Sequence, residues 1–178
     1  IYSLPGNGGI SEDAVCVPIG AKDIRGIVKF ALDNRVDFVV VTPDDPLALG
    51  AVDALHEAGI PCFGPVKRAA EIESSKIFAK ELMKKYGIPT AKYKAFDDPE
   101  DAEIYLDASE YPVVIKADGL ALGKGVIIAN DRAEARNAVD DMMRGLKFGE
   151  SGARVVIEEF LQGPEVTVLT LTDGRTIV

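Results

Sequence analysis

The sequence predicts an α/β fold: a layer of parallel strands covered by helices over residues 1–73, then an α+β region over residues 74–178. Strand-like and helix-like segments alternate through the first part, which is typical of right-handed βαβ units. Residues 36–41 form an apolar, β-branched run, as expected for a strand buried on both faces of a parallel sheet. In the second part, Asp173-Gly174 gives a strong hairpin signal, so antiparallel strands are expected there.

Each element of the first part follows from a local pattern. Asp23 is a good N-cap for a helix whose apolar residues recur on one face, and Gly59 ends the next helix. Glycine, proline and asparagine residues after the first strand predict a turn. The expected strands are residues 1–4, 14–18, 36–41 and 61–63, and the expected helices are residues 23–34 and 48–58.

The helices of the second part carry clear start signals. A serine caps the first, an Asp-Pro pair opens the second, and an aspartate with a glutamate three residues later forms a capping box for the third. These residues are Ser74 or Ser75, Asp98-Pro99, and Asp131 with Glu134. The expected helices are residues 75–86, 98–108 and 131–144, and the expected strands are residues 90–96, 112–117, 126–129, 154–160, 165–172 and 175–178.

Composition excludes several classes of protein. Of 178 residues, 47% are hydrophobic and 28% are charged, so the chain can bury a core and is not disordered by composition. The net charge of −9 disfavours nucleic acid as a partner, yet a small phosphorylated ligand needs only a few local cations and amides. No apolar run approaches the roughly 18 residues of a membrane span. Cys16 and Cys62 show no CxxC spacing, so a cytoplasmic protein with reduced thiols is expected.

A segment rich in glycine joins two predicted strands and carries two lysines. Gly119, Gly123 and Gly125 let backbone N–H groups approach phosphate oxygens, and Lys116 and Lys124 add positive charge. The segment differs from a P-loop, because three residues separate its first two glycines and a glycine stands where a hydroxyl residue is needed. We therefore interpret residues 119–125 as a flap that folds over phosphates. A glycine-rich hairpin without a ligand is the alternative.

Two further features fit a nucleotide but are weaker alone. Glu158 and Glu159 end an apolar strand, and a short linker then leads to Glu165. The amides and carbonyls of such a linker can read an adenine edge, and a carboxylate can accept from a ribose hydroxyl. Lys76 stands in the first turn of its helix, where the dipole opposes a cation unless an anion such as phosphate is near. Solvated acids and a solvent-facing lysine are the alternatives.

Taken together and in order, these segments resemble the ATP-grasp ligases, and among them the family of phosphoribosylamine–glycine ligases. The resemblance covers essentially the whole chain, and the glycine flap with its preceding lysine is its most specific part. The motifs are Pro5-Gly6-Asn7, Thr42-Pro43-Asp44-Asp45-Pro46-Leu47, Phe63-Gly64-Pro65, Ser75-Lys76, Gly87-Ile88-Pro89-Thr90, Lys116-Ala117-Asp118-Gly119-Leu120-Ala121, Gly123-Lys124-Gly125-Val126 and Glu158-Glu159-Phe160-Leu161.

The resemblance implies a Rossmann-like N-terminal domain over residues 1–73 and a partial ATP-grasp domain over residues 74–178, with a lid at about residues 92–162. It implies a reaction in which glycine, ATP and 5-phosphoribosylamine give glycinamide ribonucleotide, ADP and phosphate through a glycyl phosphate, in purine biosynthesis. The family has a glycine-rich strand and turn before the segment that begins here, and its Mg2+ or Mn2+ ligands and glycine site lie beyond Val178. We therefore expect a fragment that is inactive alone and holds no catalytic or metal-binding residue.

The resemblance also implies which residues bind the substrates. For ATP they are Lys76, Lys116, Gly119, Leu120, Gly123, Lys124, Gly125, Glu158, Glu159, Phe160, Leu161 and Glu165. For 5-phosphoribosylamine they are Asn7, Pro43, Asp44 and Pro46. Lys76 and Lys116 would contact ATP phosphates and adenine-side groups. Glu158 would contact the adenine amino group, and Glu165 would bind the ribose. The implied partners are these small molecules, without nucleic acid or membrane.

Three other functions fit part of the pattern. A sibling ATP-grasp enzyme, such as a carboxylase that acts on bicarbonate, shares the motifs. A nucleotide-binding module without catalysis shares them too. A nicotinamide oxidoreductase fits the alternation of strands and helices, but no GxGxxG fingerprint is present.

Overall fold

A computed structural model describes residues 1–121 and 123–178 of the chain. Its strands are β1 (Tyr2–Ser3), β2 (Val15–Cys16), β3 (Val39–Val40), β4 (Cys62–Phe63), β5 (Tyr93–Phe96), β6 (Val113–Ala117), β7 (Val126–Ala129) and β8 (Val155–Glu159). Its helices are α1 (Ile24–Asp33), α2 (Asp44–Ala48), α3 (Ala51–Glu57), α4 (Lys67–Ser74), α5 (Lys76–Tyr86), α6 (Pro99–Asp107) and α7 (Arg132–Val139), which continues into a π-turn at Asp140–Arg144. No helix within the described ranges is long and apolar enough to cross a membrane.

The strands of the first part pair in parallel, as predicted. β1 pairs with β2, and β3 pairs with β4, where Val39 lies opposite Cys62. The two pairs form separate sheets, with a groove of about 870 Å3 between β1 and β3. The burial expected on both faces of residues 36–41 is wrong, since Val40 is exposed. The reason is that β3 has a strand on one side and the groove on the other.

Helices pack with these strands around a first core. α2 and α3 replace the single helix predicted over residues 48–58, because Gly50 adopts a left-handed conformation with φ of +88° between them. Helix α4 was not predicted, since its sequence is mostly polar and Ala70 is its buried residue. The buried residues of this core are Ala31, Val41, Leu47, Ala51, Val52, Leu55, Ile60 and Ala70.

One antiparallel sheet with the strand order β5-β8-β6-β7 organises the second part. Ile115 on β6 lies opposite Ile157 on β8 at its centre. Val113, Ile115 and Ala117 of β6 face a core shared with α6 and α7, so the alternate residue Lys116 faces the other side. The buried core residues are Phe96, Ala102, Leu106, Val113, Ile115, Ala117, Ala129, Ala135, Ala138, Val139, Met142, Met143, Val155 and Ile157.

The N-caps at helix starts are formed as predicted, but Glu134 of the expected capping box accepts from the Asn130 N–H at 2.8 Å instead of the Asp131 N–H. Asp23, Ser75, Asp98 and Asp131 each accept a hydrogen bond from the backbone N–H three residues later, at 2.9, 3.1, 3.0 and 2.9 Å. Such bonds satisfy N–H groups that have no partner within the helix.

The predicted hairpin near residue 173 is only partly formed. A single bridge joins Thr172 to Ile177, and Asp173 accepts hydrogen bonds from the backbone N–H groups of Arg175 and Thr176. Residues 161–178 are exposed, so no apolar burial stabilises the longer strands that were expected at residues 165–172 and 175–178.

Candidate functional site

One face of the antiparallel sheet carries a group of buried charges. Lys116 on β6 and Glu158 on β8 lie on the face opposite the apolar core, with Lys116 Nζ 2.9 Å from Glu158 Oε2. Lys80 reaches the same carboxylate from α5, with its Nζ 3.1 Å from Oε1. Together the three groups carry one net positive charge, which favours an anionic ligand nearby.

Lys80 was not among the residues that the sequence singled out. Its ammonium donates to Thr90 Oγ1 at 2.7 Å and lies 5.4 Å from the centre of the Tyr93 ring. A lysine that is only 7% exposed needs such partners, because an unpaired buried ammonium is strongly destabilising. The available signal was spacing: Lys76 and Lys80 are four residues apart and therefore share one face of α5.

Lys76 begins α5, and the anion at this helix terminus is the carboxylate of Asp118. Asp118 Oδ1 accepts hydrogen bonds from the Ile77 N–H and from Ser75 Oγ, both at 2.9 Å. A protein carboxylate therefore compensates the first-turn cation, and a phosphate is not needed for that purpose. Lys76 Nζ donates to Gly119 O at 3.3 Å. Burial lowers the pKa of Lys76, and the Asp118 carboxylate opposes this lowering.

The predicted flap lies between β6 and β7. The Lys124 N–H donates to Ala121 O at 2.9 Å, and Lys124 itself is exposed. Gly123 has a φ of +73°, and a Cβ on Gly125 would lie 2.6 Å from Ala121 Cβ, so both positions require glycine. Leu122, which falls within the predicted flap, lies outside the described residues.

The base of the flap is held by a 3-10 turn at Gly149–Gly152. The Gly119 N–H donates to Ser151 O at 3.1 Å, and Ser151 Oγ donates to Leu120 O at 2.8 Å. The first two flap residues are thus anchored to the segment that leads into β8.

A cavity of about 550 Å3 lies between the flap and the turn that follows β3. Its volume is within the usual range for small-molecule sites. Residues from both parts of the chain meet there; among those predicted to bind, the lining includes Pro43, Asp44, Lys76, Leu120, Gly123 and Gly125. The structure therefore brings the predicted flap and part of the predicted substrate turn to one space.

Asn7 and Pro46 line the groove between β1 and β3 instead, and Pro43 lines both spaces. Asn7 Oδ1 accepts a hydrogen bond from the Ile10 N–H at 3.0 Å, which holds the turn after β1. The turns after β1 and β3 lie at the carboxyl ends of parallel strands, the usual place for ligands in α/β sheets.

The residues predicted after Glu158 are not gathered into one site. Glu159 Oε1 accepts from the Lys92 N–H at 2.8 Å, so this side chain ties β8 to the residue before β5. Phe160 is half-buried, and Leu161 is exposed. Glu165 is exposed and has no hydrogen bond or ion pair to the part of the chain that the structure describes. Among the predicted contacts from Glu158 to Glu165, Glu158 alone joins the buried charges.

Family models match both parts of the chain. The model described as phosphoribosylglycinamide synthetase, N domain, matches residues 1–73, and the model for the ATP-grasp (A) domain of the same synthetase matches residues 74–178. The curated phosphoribosylamine–glycine ligase of Allochromatium vinosum is 50% identical over 180 residues, covering 100% of this chain and 42% of that protein. The chain thus spans 42% of the length of this relative.

Solved structures give the same relationship. The crystal structure of phosphoribosylamine–glycine ligase from Thermotoga maritima matches with a TM-score of 0.79 and 32% identity, covering 99% of this chain and 42% of that one. The biotin carboxylase domain of 2-oxoglutarate carboxylase from Hydrogenobacter thermophilus has a TM-score of 0.69 at 20% identity over 90% of this chain and 39% of that one, which shows a shared fold alone. The predicted Rossmann-like layer followed by part of an ATP-grasp domain is therefore confirmed, and the chain belongs to the phosphoribosylglycinamide synthetase family.

Proposed function

We propose that this chain is part of an ATP-dependent ligase that joins glycine to 5-phosphoribosylamine, giving glycinamide ribonucleotide, ADP and phosphate in purine biosynthesis. The observation that carries the proposal is the cavity in which the glycine flap, Lys76 and the turn after β3 meet. Membership of the family supports the choice of substrates. The proposed partners are small molecules, and the net charge of −9 argues against nucleic acid.

In the proposed complex, the ATP phosphates lie beneath the flap. Gly123 and Gly125 let backbone N–H groups approach phosphate oxygens, and Lys76 brings its ammonium group to the cavity wall. Lys124 is exposed on the flap and adds a second cation when the flap closes. Lys116 is held by Glu158 at 2.9 Å, so it reaches a phosphate by weakening that contact.

Glu158 is proposed to accept a hydrogen bond from the adenine amino group. Its Oε1 is buried and accepts no hydrogen bond from a described residue, although Lys80 Nζ lies 3.1 Å away. An adenine amino group at this oxygen would compete with the Lys80 ammonium for it. The backbone of residues 159–161 is proposed to run beside the base, and Glu165 to bind the ribose after its exposed segment closes on the nucleotide.

The chemistry proposed for the complete enzyme is phosphorylation of the glycine carboxylate by ATP, followed by attack of the amine. Flap closure excludes water, which protects the acyl phosphate from hydrolysis. Asn7, Pro43, Asp44 and Pro46 are proposed to contact 5-phosphoribosylamine. The described residues hold no group of three or more His, Cys, Asp or Glu side chains able to bind a metal ion. No side chain among them is proposed as a ligand of the Mg2+ or Mn2+ expected with ATP.

The test is ADP release by the full-length protein that carries this chain. We expect release to require both glycine and 5-phosphoribosylamine. Lys76→Met should lower kcat/KM for ATP about tenfold or more, because a charged hydrogen-bond donor to phosphate is lost. Lys84→Met removes an exposed lysine from the same helix and should leave kcat/KM unchanged. ADP release that depends on bicarbonate instead of glycine, or absence of ATP binding, would contradict the proposal.

A further inference from the structure

Asp118 is a buried acid that lies directly after β6 and is 4% exposed. Its Oδ1 accepts from Ser75 Oγ and from the Ile77 N–H, and its Oδ2 accepts from Arg154 Nη2 at 2.6 Å. Its backbone is bound as well: its carbonyl accepts from the Lys76 N–H at 3.1 Å, and its N–H donates to Arg154 O at 3.0 Å. Asp118 thus forms hydrogen bonds both with residues at the start of α5 and with Arg154, the residue before β8.

These contacts hold the backbone of Lys76 and Ile77, whereas the Lys76 side chain makes a separate contact. The backbone N–H of Lys76 and that of the next residue, Ile77, both bind Asp118, while the Lys76 ammonium donates to Gly119 O at 3.3 Å. Gly119 follows Asp118 at the base of the flap. A displacement of Asp118 would therefore move the lysine and the flap relative to each other.

We propose that Asp118 is a positioning residue for the nucleotide, because it fixes the first turn of α5 to the base of the flap and so directs Lys76 into the phosphate cavity. The proposal rests on the ATP-binding function proposed above. Asp118 is not among the residues that line the cavity, whereas Lys76 is, so the carboxylate acts through the lysine.

A purely structural role predicts a different result. A buried carboxylate paired with an arginine contributes to folding wherever it lies, and its loss lowers stability without changing one ligand's affinity selectively. A positioning role couples the charge of Asp118 to Lys76. The Asp118 carboxylate raises the pKa of Lys76 against the effect of burial, so removing that charge should shift the alkaline limit of ATP binding to lower pH.

The primary variant is Asp118→Asn in the full-length protein. The amide keeps the shape and one acceptor oxygen, but it loses the negative charge and places a donor opposite Arg154. We expect the Kd for ATP to rise about tenfold, with the alkaline limb of binding at lower pH than in the wild type. Asp107→Asn is the control, because Asp107 is also bound by arginines but contacts neither the flap nor α5; the Kd of this variant for ATP should not change.

Two further variants keep the test decisive if Asp118→Asn does not fold. Arg154→Met removes the side chain bound to Asp118 Oδ2 and should weaken ATP binding in the same direction, and Arg154→Lys should restore part of it. Folded Asp118 and Arg154 variants with wild-type ATP affinity and an unmoved alkaline limb would overturn the positioning role alone. A wild-type protein that binds no ATP would overturn the proposed function, and this inference with it.

Discussion

Lys80 and Glu158 form a buried ion pair, with Nζ 3.1 Å from Oε1 and side-chain exposures of 9% and 6%. Lys116 Nζ lies 2.9 Å from the other carboxylate oxygen, Oε2, but the Lys116 side chain is 27% exposed. Lys116 is therefore the partner that can turn toward a ligand. If a phosphate draws Lys116 away, Lys80 still compensates the charge of Glu158, so the carboxylate does not become an isolated buried ion.

Replacing Lys80 by methionine should lower the free energy of unfolding by about 2 kcal/mol, because Glu158 then keeps only its more exposed partner Lys116 and Thr90 Oγ1 loses its donor. Urea unfolding of the full-length protein measures this change. Lys29→Met is the matched control, since Lys29 pairs with Asp33 on an exposed face of α1 and such pairs contribute little. A destabilisation by Lys80→Met no larger than that of the control would contradict the assigned role.

Glu158→Gln should reduce the preference for ATP over GTP. A carboxylate accepts from the adenine amino group and repels the guanine carbonyl, whereas a glutamine amide can donate to that carbonyl. The ratio of the two affinities should fall by about 10- to 100-fold, the range expected for one hydrogen bond to a charged group. Competition binding with both nucleotides measures it. Glu103→Gln is the control: Glu103 lies on α6 and is bound by Arg144, so this variant should leave the ratio unchanged. A fall in ATP affinity with an unchanged ratio would contradict the adenine contact.

Interactions between near neighbours in the chain were predicted well. Asp98 and Asp131 cap helices because their carboxylates bind N–H groups only three residues later. Strand β7 lies at the predicted residues 126–129, because the glycine segment before it and the cap after it leave little freedom in its bounds. For the site, glycines and lysines in one short segment predicted the connection between β6 and β7, and its role as a flap over phosphates stays a prediction.

Contacts between distant segments were not predicted. Asp118 was identified only as part of a motif, since its bonds to Ser75 and Ile77 span 43 and 41 residues. Lys80 carries no local sign that β8 will place a glutamate beside it. Helix α4 was missed for a different reason: its sequence is mostly polar, and Val66 before it offers no side-chain cap to mark its start.

Gly125→Ala should impair the flap while leaving the fold largely intact. The added Cβ would lie 2.6 Å from Ala121 Cβ and 3.2 Å from Ala117 Cβ, so the turn must shift to accommodate it. We expect kcat/KM for ATP to fall about tenfold, since small displacements of groups that position a substrate have effects of this size. Gly20→Ala is the control, because a Cβ there meets nothing within 4 Å. An unchanged kcat/KM in Gly125→Ala would show that flap geometry does not matter for the nucleotide.

The affinity for ATP should decrease at alkaline pH, because Lys76 loses its proton there. Burial lowers the pKa of Lys76, partly offset by Asp118, so its ammonium loses its proton below the usual lysine value of about 10.4. Below this lowered pKa the cation is present and binds phosphate; as pH rises through it, the charge and the affinity are lost. A titration of the Kd for ATP against pH measures this decrease, which is the alkaline limb of the binding curve. Lys76→Arg should remove it, because a guanidinium stays protonated throughout. If the limb persists unchanged in Lys76→Arg, another group is responsible and Lys76 does not bind the phosphate.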